Sequence, residues 1–401
     1  MRRRSDRRLS GTGQRWNSKA GAWLGIGAAP GALVLGAGIA ARHDGPVPLA
    51  ALVGGGALMT LLLMGQGQLG LRPPHGEGAT LSALSPRYLA ARSHRGLNAL
   101  LSVALVGWFG FNVGLGGAAV SALLRLPGPV GPLLLAAPVV LMAFGGMRRW
   151  NPVAVVATGS ALVLVCVVTW RLAAPVSPVT LGLGSPALAV ADIAVFVGYV
   201  AVFGVRAPDF TVGLRSRVDL AACVALLVIP TIAVALAGAA VQRGTGAVDL
   251  VAVLAGPEGL WIGNLLVALA VVAPTFTTMH SGSLALRAIT PLTERGAMIA
   301  VAAPGLVLAM LRFDLHLALW LRLLAAMLAP LVVPMALEGA RRRRGGAARL
   351  IPLWTWAPAS TLAVALSAAD QPYAVVAGLG VAVSASAVFL IRREPPSPAD
   401  R

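Results

Sequence analysis

The sequence predicts an all-α integral membrane protein with about twelve transmembrane helices. Three observations carry this expectation. Hydrophobic residues make up 57% of the chain and charged residues only 11%, against roughly 25% charged in an average soluble domain. Apolar stretches of roughly 20 residues recur along the chain, each long enough to cross a hydrocarbon core about 30 Å thick. Basic residues gather in short clusters between these stretches, mostly in alternate gaps. A water-soluble fold of 401 residues would need far more polar surface than this chain supplies. The mean hydropathy of +0.82 agrees.

The net charge of +18 reads as a nucleic-acid signal only until it is located. It sits between apolar spans, so the expected partner is the lipid bilayer and no nucleic acid. The first apolar segment lacks a small-residue cleavage site followed by a polar chain, so no cleaved signal peptide is expected. Cys166 and Cys223 fall inside spans and offer neither a metal-ligand spacing nor a disulfide framework.

The expected spans are, in order, 22–41, 48–70, 97–123, 131–147, 151–171, 187–206, 218–241, 260–286, 297–311, 317–337, 351–368 and 373–391. Residues 1–20 read as a disordered basic cytoplasmic tail, 21–391 as the transmembrane domain and 392–401 as a second cytoplasmic tail. One set of loops holds Arg72, Arg87, Arg92, Arg95, Arg148, Arg149, Arg215, Arg217, Arg287, Arg295 and the run Arg341 to Arg344, together with the basic tails. The other set holds only Arg42, Arg125, Arg171, Arg243, Arg312 and Arg322. The bias predicts a multi-pass protein of the cell membrane with both termini cytoplasmic.

The first span contains Gly25, Gly27, Pro30 and Gly31, and the sixth contains Gly198 and Gly204. Proline removes a helix donor and glycine weakens a helix, so both spans are expected to break near their middles. Two interrupted helices in corresponding places of an inverted repeat are the sequence mark of a transporter's midplane site.

Polar groups inside spans are few, and each costs free energy unless it meets a cavity or partner. Trp108 and Asn112 stand four apart in the third span, on one helix face. An indole can stack on a planar heterocycle, and a carboxamide offers donors and an acceptor to its edge. The bland alternative is a packed Trp and an interhelical Asn bond. In the eighth span, Thr277, Thr278 and His280 lie in its most polar stretch. Hydroxyl oxygens suit a hard cation such as Na⁺, and an imidazole can bind substrate or carry H⁺. Asp192, near the start of the sixth span, is a gate residue or a solvated acid. Arg206, Pro208, Asp209 and Phe210 read as a structural cap at its end. No phosphate-binding loop, zinc-type histidine pair or Asp-rich diphosphate site is present.

The order of these features resembles the nucleobase:cation symporters, in particular the purine–cytosine permeases. The similar segments are Val106-Gly107-Trp108-Phe109-Gly110, then Pro208-Asp209-Phe210 followed by Arg215 and Arg217, then Phe276-Thr277-Thr278, and Pro330 and Glu338 ahead of the arginine run. The likeness runs over residues 20 to 391. It implies the amino acid–polyamine–organocation fold, a five-plus-five inverted repeat with two further C-terminal helices. It implies a permease importing a nucleobase-like heterocycle by symport with Na⁺ or H⁺, and no organic cofactor. The implied substrate-binding residues are Trp108, Asn112, Gly27, Val200, Phe203 and His280. Thr277 and Thr278 would form the Na⁺ site with carbonyls at the break around Gly27. Met279, His280 and Pro274 depart from the family pattern, which points to a heterocycle other than cytosine or to weakened cation coupling. The rival readings are a transport-inactive protein or accessory subunit on the same fold, and a membrane-embedded enzyme. An enzyme would need clustered acids or histidines near one interface, and the sequence has none.

Overall fold

The first apolar segment is two helices rather than one. In the computed structural model, α1 spans Ala20–Gly27 and α2 spans Pro30–Arg42, with Ala29 extended between them at φ −63° and ψ 149°. Pro30 causes the break: it disfavours helical geometry at the preceding residue and suits the first position of the next helix. The structure describes residues 13–43, 46–145, 150–175, 177–182, 184–256 and 260–391. Thus Arg148, Arg149 and both chain ends lie outside the described residues. Residues 13–19, expected within a disordered tail, are instead strapped to the head of a later helix. Gln14 bonds through its amide to the Gly213 carbonyl at 2.9 Å, and the Trp16 amide donates to Asp219 at 3.1 Å.

The remaining helices follow the expected order. They are α3 (Leu49–Gly67), α4 (Leu81–Tyr88), α5 (Ala91–Leu124), α6 (Val130–Phe144), α7 (Trp150–Leu172), α8 (Pro186–Val205), α9 (Ala207–Thr211) and α10 (Arg217–Thr245). Then come α11 (Leu250–Ala255), α12 (Trp261–Ala270), α13 (Val272–Arg287), α14 (Glu294–Met310), α15 (Leu317–Arg343), α16 (Ala357–Ala368) and α17 (Ala374–Ile391). Every expected span holds helix. Among the described residues, nine helical segments are long and apolar enough to cross a membrane, which makes this a multi-pass membrane protein.

Packing shows the internal repeat. The first segment packs on the seventh (α2 on α10), and the second on the sixth (α3 on α8). An exchange of two five-helix halves turns one pair into the other. A second group is built on α5, which packs against α6, α12, α13 and α14, while α15 lies along α8 and carries α16 and α17. The α2–α10 crossing is backbone on backbone. A Cβ on Gly36 would fall 1.8 Å from the Ala235 carbonyl oxygen, and one on Gly238 would fall 2.0 Å from that of Leu33. Only glycine permits so close an approach.

The sixth segment corrects an expectation. α8 is unbroken from Pro186 to Val205 and turns only at Arg206. Its glycines serve packing: a Cβ on Gly198 would meet the Leu321 carbonyl oxygen at 1.8 Å, and one on Gly204 would meet Leu62 Cδ2 at 1.9 Å. The eighth segment carries an interruption that was not expected. α12 ends at Ala270 and α13 begins at Val272, because Pro274 has no amide hydrogen to continue the ladder.

Loop contacts define two faces. On the basic face, Leu214 pairs with Gln14, Leu89 with Ile351, and Arg342 donates to the Arg87 carbonyl at 2.8 Å. Buried Glu338 there accepts from Arg341 and Arg342 and from the Arg349 amide. Asp209 accepts from the Leu81 amide at 2.7 Å and from Arg206, so the Pro-Asp-Phe turn caps α4. Burial and a hydrogen bond to Glu77 push the Tyr88 phenol above its ordinary range. On the opposite face, β1 (Val47–Pro48) pairs with β2 (Val179–Thr180) in parallel. Arg312 there bonds Asp314 and Asp249, and so ties α11 to the end of α14.

Candidate functional site

α5 presents its site residues by burying glycine on an adjacent face. A Cβ on Gly107 would strike Trp320 Cζ2 at 2.1 Å, one on Gly110 would meet Leu308 Cβ at 2.9 Å, and one on Gly114 would meet Asp314 Oδ1 at 2.8 Å. Seated in this way on α14 and α15, the helix brings Trp108 against α8. Trp108 is half-buried and meets Phe111 edge-on (5.6 Å between centroids, 88°) and Tyr199 edge-on (5.8 Å, 78°). Neither ring lies parallel to the indole, and Trp108 keeps part of its surface exposed. The Tyr199 hydroxyl donates to the Ile26 carbonyl at 2.9 Å, at the end of α1. An ideal Cβ on Gly31, just past the break, would stand 3.2 Å from Phe111 and 3.4 Å from Tyr199. The break in the first segment, the sixth helix and the Trp108 ring therefore converge.

Asn112 is buried, and its Nδ2 donates to the Trp108 carbonyl at 2.8 Å. One amide hydrogen is thus committed to its own helix. The other hydrogen and the carbonyl oxygen are what it can offer a ligand.

The depth of α13 follows from two contacts. A Cβ on Gly282 would stand 3.2 Å from Leu105 Cβ, and one on Gly116 would meet Val271 Cγ2 at 2.3 Å. Counting along the antiparallel pair places Thr275 level with Asn112 and His280 within one residue of the level of Trp108. His280 makes no hydrogen bond through its ring among the described residues. It lies nearly parallel to Phe276 (6.5 Å, 20°) and makes no ring contact with Trp108. Thr277 donates to the Ala273 carbonyl at 2.9 Å, and Thr278 to those of Pro274 at 3.0 Å and Thr275 at 2.8 Å. These bonds use the hydroxyl hydrogens and leave oxygen lone pairs for a cation.

Three expected site residues are placed elsewhere. A Cβ on Gly27 would fall 2.5 Å from the Leu227 carbonyl oxygen, so this glycine admits α10. Val200 is fully buried and presents no surface to a ligand. Phe203 packs edge-on to Trp23 (4.8 Å) and against Phe210 (4.3 Å), inside an aromatic column. α1 packs on α10 and α7, and α13 on α5, α14, α6 and α7, so Gly27 and the threonine pair are not in one close-packed seam. Sequence reasoning missed Tyr199. Its only signal was a polar aromatic amid an apolar span, one residue from the chosen Val200.

No family model matches the chain, and no curated protein matches it. Solved structures do. An inward-facing conformation of Mhp1 superposes with a TM-score of 0.70 at 19% identity, covering 95% of this chain and 93% of that one. Mhp1 in a closed conformation with bromovinylhydantoin bound, described as a nucleobase-cation-symport-1 family transporter, gives 0.64 at 19% identity over 93% and 91%. A Na⁺-coupled sialic acid symporter, substrate-bound and outward-open, gives 0.56 at 12% identity over 92% and 89%. The chain has the inverted-repeat fold of the nucleobase–cation symporter Mhp1.

Proposed function

We propose that the protein is a secondary transporter that carries a small planar heterocycle, nucleobase-like or hydantoin-like, across the cell membrane together with a cation. The observation that carries this reading is the Trp108 ring. It lies mid-span, half-buried and with no ring stacked parallel on it, and Tyr199 ties that place to the break between α1 and α2. A flat solute can stack there, its polar edge meeting Asn112, with His280 at the same depth. Bromovinylhydantoin is what Mhp1 holds in its closed conformation on this fold. Thr277 and Thr278 expose oxygen to a small hard cation beside the Pro274 interruption, so Na⁺ is the preferred coupling ion and H⁺ through His280 the rival. The arginine-rich face is the cytoplasmic one, and both termini lie there.

Uptake of radiolabelled nucleobases, hydantoins and pyrimidine precursors into cells lacking their own permeases tests the reading. Uptake of one class, driven by an imposed Na⁺ gradient at fixed pH, is the expected result. Indifference to Na⁺ with strong dependence on pH rejects sodium. No uptake of any compound, with the protein present in the membrane, favours a transport-inactive protein on this fold.

A further inference from the structure

Chemistry fixes the polarity of the hydrogen bonds beside Trp108, and it leaves one acceptor unused. A backbone carbonyl can only accept, so in the 2.9 Å bond between Tyr199 and Ile26 the phenol donates. The Ile26 carbonyl, at the end of α1, also receives the Ala29 amide at 3.3 Å across the break. The single hydroxyl hydrogen of Tyr199 is therefore spent on the backbone, and turning it toward a ligand would break that bond. The oxygen keeps its lone pairs and receives no hydrogen bond among the described residues. Tyr199 is only 5% exposed, so this acceptor is shielded from bulk water. Its place is fixed by close packing on either side. A Cβ on its neighbour Gly198 would fall 1.8 Å from the Leu321 carbonyl oxygen, and one on Gly31 would stand 3.4 Å from Tyr199 Cε2. Asn112 differs. Its Nδ2 faces the Trp108 carbonyl at 2.8 Å, which excludes the flipped amide and leaves one N–H and the Oδ1 acceptor free.

We propose that Tyr199 is a specificity-determining residue of the Trp108 site, accepting a hydrogen bond from a ring N–H of the bound heterocycle and so selecting rings that carry that N–H over isosteres that lack it. The role rests on the transporter reading above and adds to it a residue and a hydrogen-bond polarity. The Tyr199 ring meets the Trp108 ring at 5.8 Å and 78°, so a solute stacked on the indole lies beside the phenol. A ring with an N–H on that edge gains a partner that is already buried. A ring with CH2 there leaves the phenol oxygen desolvated and unpaired, and a ring with only a carbonyl there sets one acceptor against another. Asn112 retains a donor and an acceptor and fits either edge, so it orients the ring without choosing its polarity. Tyr199 retains only an acceptor and does choose. Sites that hydrogen-bond a substrate N–H reject analogues lacking it more strongly than apolar pockets reject a change of size.

Calorimetric titration of the purified protein separates this role from a merely structural one. The probes are hydantoin, succinimide, which has CH2 in place of one hydantoin N–H at nearly the same shape, and 3-methylhydantoin, in which the other N–H is blocked. Uracil, 1-methyluracil and 3-methyluracil cover a six-membered ring. The parent should bind hydantoin or uracil about tenfold more tightly than one of its two analogues, equal to about 1.4 kcal/mol. Tyr199→Phe keeps the ring against Trp108 and loses the oxygen. It should weaken hydantoin or uracil about tenfold and leave the disfavoured analogue within about twofold, so that the preference closes. A structural role, acting through the end of α1, would weaken all three compounds alike, and a steric one would let the analogue gain; either outcome overturns the proposal. A parent that binds a ring and both its analogues equally also overturns it, needs no variant, and leaves the transporter reading standing. A parent that binds neither hydantoin nor uracil removes that reading and this role with it.

Discussion

Trp108 is the residue on which the substrate reading turns, and its environment sets the size of the expected effect. The ring is half-buried and neither Phe111 nor Tyr199 stacks parallel on it, so a stacked heterocycle would contribute roughly 1–3 kcal/mol, the usual range for a base on an aromatic ring. Trp108→Ala should weaken binding about 5- to 150-fold, at about 1.4 kcal/mol per tenfold, and Trp108→Phe should be milder. Calorimetric titration of the purified variants with a transported compound measures this; a folded Trp108→Ala protein that binds as tightly as the parent removes the site. Trp108, Asn112 and His280 stood out in the sequence as candidates because polar groups are rare inside apolar spans. Tyr199 was not, because its role is a bond to the Ile26 carbonyl 173 positions away. No local pattern encodes such a partner.

At the scale of the element, proline breaks helices as its chemistry suggests, whereas the α8 glycines do not. Pro30 breaks the first segment as expected, since a missing donor and a steric restriction on Ala29 act locally. Gly198 breaks nothing, because the helix around it is braced by α15, which needs the space a Cβ would fill. Gly198→Ala should therefore cost about 1–3 kcal/mol from overpacking. Gly38→Ala, where nothing lies within 4 Å of the new methyl, should be neutral or stabilising by up to about 1 kcal/mol. Thermal unfolding of the two variants in detergent separates them; equal behaviour would show that α8 and α15 are not in the close register described. The Pro274 interruption belongs with Pro30. It was readable as a lost donor, yet its neighbours Thr275, Thr277 and Thr278 drew attention to ligands rather than to the backbone they now hydrogen-bond.

For the whole molecule, the two faces give a topological prediction. Ser185→Cys, on the face opposite the arginine clusters, should react with an impermeant maleimide added to intact cells. Gly345→Cys, after the arginine run, should react only after lysis. The reverse pattern would invert the protein. By itself the sequence determined that the chain lives in a membrane, where most of its helical segments begin and end to within about four residues, and which spans hold polar residues. Those properties depend on the length and hydrophobicity of contiguous stretches, and a bilayer reads them one segment at a time. Only the tertiary structure decided that α8 stays whole, that Gly27 lies against α10 and Val200 is buried, and that Arg42 and His43 at the end of α2 both pair with Asp192 on α8. His43 and Asp192 are 149 residues apart, and their meeting depends on how α2 and α8 cross, which is set by the sum of packing contacts over the bundle and by no motif in either helix.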